Sequence, residues 1–307
     1  MRDAGFMARV NDLQYVALAV PDLAAERAFF GTTWGLVEVA EQDGKVYLAA
    51  EGSPHPFVIR LREDAERKTE LIGFSADGRD VVDAIFAKAT AAGAKVIAEP
   101  GPAEGPAGGY ACRFFDPEGR ALEVVCDGTQ RAHRTLEKGE AIPLGISHVV
   151  FHSPDIKRLQ GFYEEVLGFR LSDWIGDFMV FLRCNTAHHR LAILPGPPTL
   201  NHIAFDVSSI DEMMRGLARM HENNVTLTWG PGRHTAGNNT FSYFLSPNGN
   251  AVEYTSDLEH VDDEDWVPQT FAPTPAITDQ WGTGRIIPGN VPHAELSPDK
   301  GLWQVPA

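Results

Sequence analysis

Leu13-Gln-Tyr-Val-Ala-Leu-Ala-Val-Pro-Asp22 and Ile146-Ser-His-Val-Val-Phe-His-Ser-Pro-Asp155 are two copies of one device, an apolar strand that stops at Pro-Asp. A helical stretch with paired aromatics follows each, Phe29-Phe30 in the first and Phe162-Tyr163 in the second. Each then turns through a glycine into another strand, Gly35-Leu-Val37 and Gly168-Phe-Arg170. Further along, Phe114-Phe-Asp-Pro-Glu-Gly-Arg-Ala-Leu-Glu-Val124 matches Phe244-Leu-Ser-Pro-Asn-Gly-Asn-Ala-Val-Glu-Tyr254, a strand, a Pro-X-Gly turn and a returning strand. Asp80 to Ala92 and Ile210 to Asn223 carry apolar residues at helical spacing, each behind a short strand, Leu71 to Ala76 and Leu200 to Val207.

Repetition on this scale describes an α+β chain of two domains, each of two βαβββ modules that form a curved, barrel-like mixed sheet with helices outside. The first domain is expected over residues 1–128, a polar linker over 129–143, and the second domain over 144–258. Residues 259–307 form a Pro- and Gly-rich tail. Its Trp266, Phe271 and Trp281 favour wrapping of the second domain, because disordered tails seldom carry such aromatics. The acidic run Glu259 to Asp265 reads as a solvated connection.

Composition narrows the functional classes. The 307 residues are 43% hydrophobic, enough for one large core or two smaller ones. Net charge is −16 without clustered Lys and Arg, which argues against a nucleic-acid partner and an anionic membrane surface. No run approaches the roughly 18 apolar residues of a membrane span, and Met1-Arg-Asp-Ala-Gly-Phe6 does not lead into a signal-peptide core. Cys112, Cys126 and Cys184 lack metal spacing and suit a reducing cytoplasm.

Three residues interrupt the apolar strands of the second half: His148, His202 and Glu253. A titratable side chain there is costly without a partner. A lone strand histidine is more often a hydrogen-bonded core residue than a ligand, but these three fall at corresponding places in the modules (first strand, first strand, last strand), which a curved sheet formed by paired modules would bring together. Two imidazoles and a carboxylate are the ligand set of a facial triad that leaves positions open on non-haem Fe(II). The repeat is an internal control. It places Tyr15 opposite His148, Gly73 opposite His202 and Glu123 opposite Glu253, so the metal site is expected once. Glu123 is expected to be a surface residue. His189 (rather than His188) before a strand, His234 in a Gly-Pro-Gly-Arg-His loop, and Tyr243 on the strand beside Glu253 would add acid–base groups. Trp174, Phe178 and Trp229 are candidate pocket walls.

With these residues in place, the chain resembles the type I extradiol (catechol meta-cleaving) dioxygenases of the vicinal oxygen chelate superfamily. The resemblance covers most of the chain and rests on the spaced pattern His148, His189, His202, Gly232-Arg-His234, Tyr243 and Glu253. It implies a small-molecule catechol-type substrate, O2 as co-substrate, and Fe(II) held by His148, His202 and Glu253, with Mn(II) suited to the same donors. It implies His189 beside dioxygen, His234 and Tyr243 at the diol oxygens, an inactive first domain, and homo-oligomers. Asp279-Gln-Trp-Gly282 resembles a family segment at the active-site mouth. The chain departs at Gly237, where some relatives are acidic, and at Trp229 and Thr278, where homoprotocatechuate-type relatives carry arginines. Two other classes fit the same scaffold: a glyoxalase-type metal-dependent isomerase, lyase or transferase, and a non-catalytic small-molecule-binding protein.

Overall fold

The computed structural model describes residues 8–262, 265–285 and 298–304. The opening residues read for a signal sequence, two residues of the acidic run and part of the tail lie outside these. The first half contains β1 (Asp12–Val20), α1 (Leu23–Ala28), β2 (Val37–Gln42), β3 (Lys45–Ala49), β4 (Ile59–Glu63), β5 (Lys68–Ser75), α2 (Arg79–Ala91), β6 (Val96–Pro102), β7 (Tyr110–Phe115) and β8 (Ala121–Cys126). The second repeats the sequence of elements with β9 (Gly145–Ser153), α3 (Ile156–Glu165), β10 (Arg170–Ile175), β11 (Met179–Arg183), β12 (Leu191–Pro195), β13 (Thr199–Asp206), α4 (Ile210–Glu222), β14 (Leu227–Arg233), β15 (Thr240–Leu245) and β16 (Ala251–Ser256). The tail adds β17 (Gln269–Phe271) and the short α5 (Pro275–Thr278).

Pro-Asp at the end of β1 and of β9 has a local cause. Proline ends the ladder, and the aspartate caps the next helix: Asp22 accepts from the backbone of Ala25, and Asp155 from that of Arg158. The two sheets share one topology. Their strand orders are β2-β3-β4-β1-β5-β8-β7-β6 and β10-β11-β12-β9-β13-β16-β15-β14, with β17 added outside β10. In each, the two module-opening strands pair antiparallel at the centre and are flanked by parallel neighbours. Both sheets are mixed and curl without closing into a barrel. No described helix is long and apolar enough to cross a membrane, and all three cysteines are buried free thiols.

The two halves are interlocked. Trp34, after α1, stacks on Tyr254 of β16 at 3.8 Å and meets Phe205 of β13 edge-on, so a continuous apolar core joins the sheets. Each Pro-X-Gly turn also docks into the other half. Arg120 of the first turn is buried and donates to the backbone oxygen of His152. The second turn closes on Glu26 of α1, a fully buried carboxylate that accepts from Ser246 Oγ, Asn248 Nδ2 and Asn250 Nδ2 at 2.7–2.8 Å. Glu26→Ala strands the buried donors of Ser246 and Asn250, removes one bond of half-buried Asn248, and should cost roughly 3 kcal/mol. Denaturant titration would read this as a lowered midpoint at unchanged slope; an unchanged midpoint would show that the clamp contributes nothing.

The described tail binds both halves. Trp266 Nε1 donates to Ser172 O, β17 pairs with β10, and residues 275–284 run along β14. The last described segment reaches the first half, where Trp303 stacks on Phe115 and bonds Gly119. The acidic run is less free than expected, because Glu259 and Val261 are tied by backbone bonds to Gly237, His188 and Thr186.

Candidate metal centre and active site

The central strands of the second sheet deliver the three ligand candidates. Ala204 of β13 pairs with His148 on one side and Glu253 on the other, and His202 lies two residues along the same strand. Glu253 Oε2 stands 3.0 Å from His202 Nε2 and 3.4 Å from His148 Nε2, and one ligand atom from each lies within 4.8 Å of the others. Glu253 is wholly buried, and neither carboxylate oxygen accepts a well-formed hydrogen bond. Burial would raise its pKa, but the two imidazoles prevail and hold it down at about 2. An ionised carboxylate so deep needs more positive charge than neutral imidazoles carry. Two nitrogens and a hard oxygen converging on one point fit a divalent transition metal with open positions.

The first half fills the same place differently. Tyr15 Oη donates to Glu123 Oε1 at 2.7 Å, and Arg113 Nε donates to Glu123 Oε2 at 2.6 Å. Gly73 makes room for the phenol, since a Cβ there would fall 2.1 Å from the Tyr15 ring. Glu123 is therefore buried, contrary to the expectation of a surface residue. Its partners lie 108 and 10 residues away and are invisible to a local reading. Among the described residues, the metal-capable cluster is that of the second half alone.

Beside the triad is a cavity of about 310 Å³, lined among others by His148, His189, His202, His234 and Tyr243. The rings of His189 and His148 are 4.4 Å apart. His188 does not line the cavity. It bridges Asp173 Oδ2, 2.8 Å from its Nε2, and His189 Nδ1, 3.0 Å from its Nδ1. The carboxylate accepts, so Nε2 carries the proton in neutral His188. Its Nδ1 then accepts from His189, and His189 Nε2 keeps a lone pair. His234 Nδ1–H donates to Thr278 O at 2.7 Å, which leaves His234 Nε2 as an acceptor 3.2 Å from Tyr243 Oη. Burial first, then the crowding of neighbouring imidazoles and the charge of Arg190, pushes the His189 imidazole well below its usual range. Burial also lowers His234, against the pull of Glu253. Burial, then the charge of Glu253, pushes the Tyr243 phenol well above its own. All three are neutral near pH 7.

Phe178 and Trp229 line the cavity; Trp174 does not. Side chains alternate along β10, and it is Ile175 that faces inward. Trp174 packs in the core behind the sheet, with Lys157 Nζ 3.5 Å above its ring. A second difference concerns His234. The Gly-Pro-Gly-Arg stretch before it is not a loop but part of β14, which runs to Arg233 with shifted register. β14 is an edge strand, where proline is tolerated. Gly232 lets Phe241 and Asp279 approach, at 2.4 and 2.8 Å from where a Cβ would lie. Phe241 in turn stacks on the His234 ring at 4.2 Å. Asp173, Ile277 of α5, His152 and Asn201 were not singled out by sequence. Only the His188-His189 doublet hinted at a second imidazole behind the first.

Residues 12–124 and 145–254 match the family model described as "Glyoxalase/Bleomycin resistance protein/Dioxygenase superfamily". A crystal structure described as the Mn(II)-bound glyoxalase from Novosphingobium aromaticivorans is 46% identical, with a TM-score of 0.92 over 96% of this chain and 98% of that one. "Metapyrocatechase 2" of Cupriavidus necator is 28% identical over 89% of each chain. "Biphenyl-2,3-diol 1,2-dioxygenase" of Paraburkholderia xenovorans is 29% identical, over 84% of this chain and 91% of its own length. With a family model matched in both halves and the shared architecture around them, this chain belongs to the Glyoxalase/Bleomycin resistance protein/Dioxygenase superfamily.

Proposed function

We propose that the protein is an extradiol ring-cleaving dioxygenase that inserts both atoms of O2 into a catechol-type diol beside the hydroxyls, with Fe(II) held by His148, His202 and Glu253. The observation that carries this reading is the convergence on one cavity of a His-His-Glu set and three neutral proton-handling groups, His189, His234 and Tyr243. The names of the catalogued relatives, a metapyrocatechase and a biphenyl-diol dioxygenase, support the same chemistry.

The chemistry a bound Fe(II) would supply is Lewis acidity toward the diol and electronic coupling of diol to dioxygen. His234 Nε2, with its other nitrogen tied to Thr278, accepts a proton from a diol hydroxyl. The Tyr243 hydroxyl, kept protonated by burial, steadies the resulting oxygen as a donor. His189 Nε2 takes up a proton on the other side and returns it as the O–O bond breaks, while His188 and Asp173 hold its ring in place. The walls formed by Ile175, Phe178, Phe181, Leu194 and Ile277 keep water from competing. Anaerobic loading with Fe(II), followed by oxygen uptake with catechols, tests the reading. Uptake equal to the catechol consumed, with a yellow ring-opened product, is expected; no uptake would remove it.

The substrate we propose is a catechol with an apolar, uncharged substituent. No Lys or Arg lies among the described residues lining the cavity, and an unpaired carboxylate in such walls costs several kcal/mol. Alkyl- or arylcatechols should exceed carboxylate-bearing ones in kcat/KM by roughly 100-fold or more. Equal values would overturn this assignment. A metal-dependent glyoxalase-type reaction is the second reading, favoured by the name of the 46% identical structure. Metal-dependent turnover of a non-catechol substrate without oxygen uptake would select it, and Mn(II) in place of Fe(II) would be read by metal analysis.

A further inference from the structure

The β13–β9 ladder shifts register twice, at Ser147 of β9 and at Asn201 of β13. Leu200 pairs with Phe151 and His202 with Val150, so Asn201 is skipped in the ladder. A bulge of this kind frees an extra side chain from strict alternation. Asn201 uses the freedom to turn to its neighbour's face, where both it and His202 line the cavity. Its Oδ1 is 2.5 Å from His202 Nδ1, and its Nδ2 is 2.7 Å from His152 Nε2. His152 Nδ1 is 2.9 Å from Pro195 O. The direction of every bond follows from the far end. A carbonyl only accepts, so His152 Nδ1 carries the proton and its Nε2 accepts from the Asn201 amide; Asn201 Oδ1 then accepts from His202 Nδ1–H. The lone pair of His202 is thereby assigned to Nε2, the atom that faces Glu253.

We propose that Asn201 and His152 are positioning residues for His202, fixing its tautomer and ring plane for the metal. The inference rests on the metal reading above. The metal-free half supplies the contrast: the repeat puts Ile72 opposite Asn201 and Ala19 opposite His152, and Ile72 pairs in register with Val16. The first half's β5 is bulged as well, but at Glu70 rather than at Ile72, so the Asn201–His152 chain occurs only beside the histidine ligand. Arg120 anchors the strand end by donating to His152 O at 2.5 Å, so the first half supports the chain from behind.

The experiment measures binding of Co(II) and Mn(II) to the metal-free full-length protein by competition with a chelating dye, together with the visible spectrum of the Co(II) form. Asn201→Leu should weaken binding by about 10- to 100-fold and alter the Co(II) bands. Asn201→Asp retains the acceptor oxygen and should bind within about threefold of the parent. His152→Leu, which frees the amide to turn, should fall between the two, on the same scale of supporting effects. If Asn201→Leu melts like the parent when metal-free and still binds as tightly with an unchanged spectrum, the proposal is overturned. If Asn201→Leu does not fold, His152→Leu decides by the same criterion. A parent that binds neither ion would instead remove the metal reading itself.

Discussion

His148→Ala is expected to yield a folded protein that no longer holds metal. The imidazole supplies one of three converging donors, and the remaining two, His202 Nε2 and Glu253 Oε2, are 3.0 Å apart on one side of the site. Loss of a supporting hydrogen-bond partner commonly weakens a metal site 10- to 100-fold, so loss of a ligand itself should cost more than about 100-fold in affinity. Thermodynamic linkage gives a reading independent of turnover. The parent should gain about 2.7 kcal/mol of stability at a free metal concentration 100 times its Kd, because only the folded chain brings the ligands together. His148→Ala should gain close to nothing at the same concentration, and its oxygen uptake with catechols should vanish. A variant that still binds one metal per chain and still consumes oxygen would show that the metal lies elsewhere.

The second large effect is expected at His189. This ring is not a ligand candidate in the triad, yet it stands against His148 and lines the cavity, with Nδ1 committed to His188 and Nε2 available to a reactant. His189→Ala should therefore keep metal affinity within about threefold, because its Nδ1 bonds His188 and not one of the ligands whose supporting bonds are worth about 10- to 100-fold, and lose kcat by about 100- to 10,000-fold, the usual worth of a positioned acid–base group. Oxygen consumption should also uncouple from ring opening, since the departing oxygen lacks its proton donor. Metal content, kcat and the ratio of product to oxygen consumed together separate this outcome from that at His148. Unchanged kcat with full metal content would remove His189 from the chemistry.

These expectations rest on features of unequal visibility in the sequence. The α+β architecture and its repeated modules were legible because strand alternation, helical spacing and Pro-X-Gly turns are local, and the chain states each of them twice. His148, His202 and Glu253 stood out because charge in an apolar strand is rare. The faces of the strands were less legible. Trp174 was a plausible pocket wall, but β10 carries a bulge between Leu171 and Asp173 that shifts the alternation, and it is Ile175 that points inward. The stretch before His234 looked like a loop because Gly-Pro-Gly usually breaks strands, and only its place at a sheet edge lets it remain one.

By itself, the sequence determined the modules, their order, and which half could bind metal, since periodicity and residue type are properties of the chain alone. Tertiary structure decided who supports whom. Glu123 is buried because Tyr15 and Arg113 reach it, His189 is backed by Asp173 through His188, and His202 is oriented by a bulged Asn201 and by His152. Those contacts depend on sheet register and curl, which bring together side chains up to about a hundred residues apart and leave no local trace.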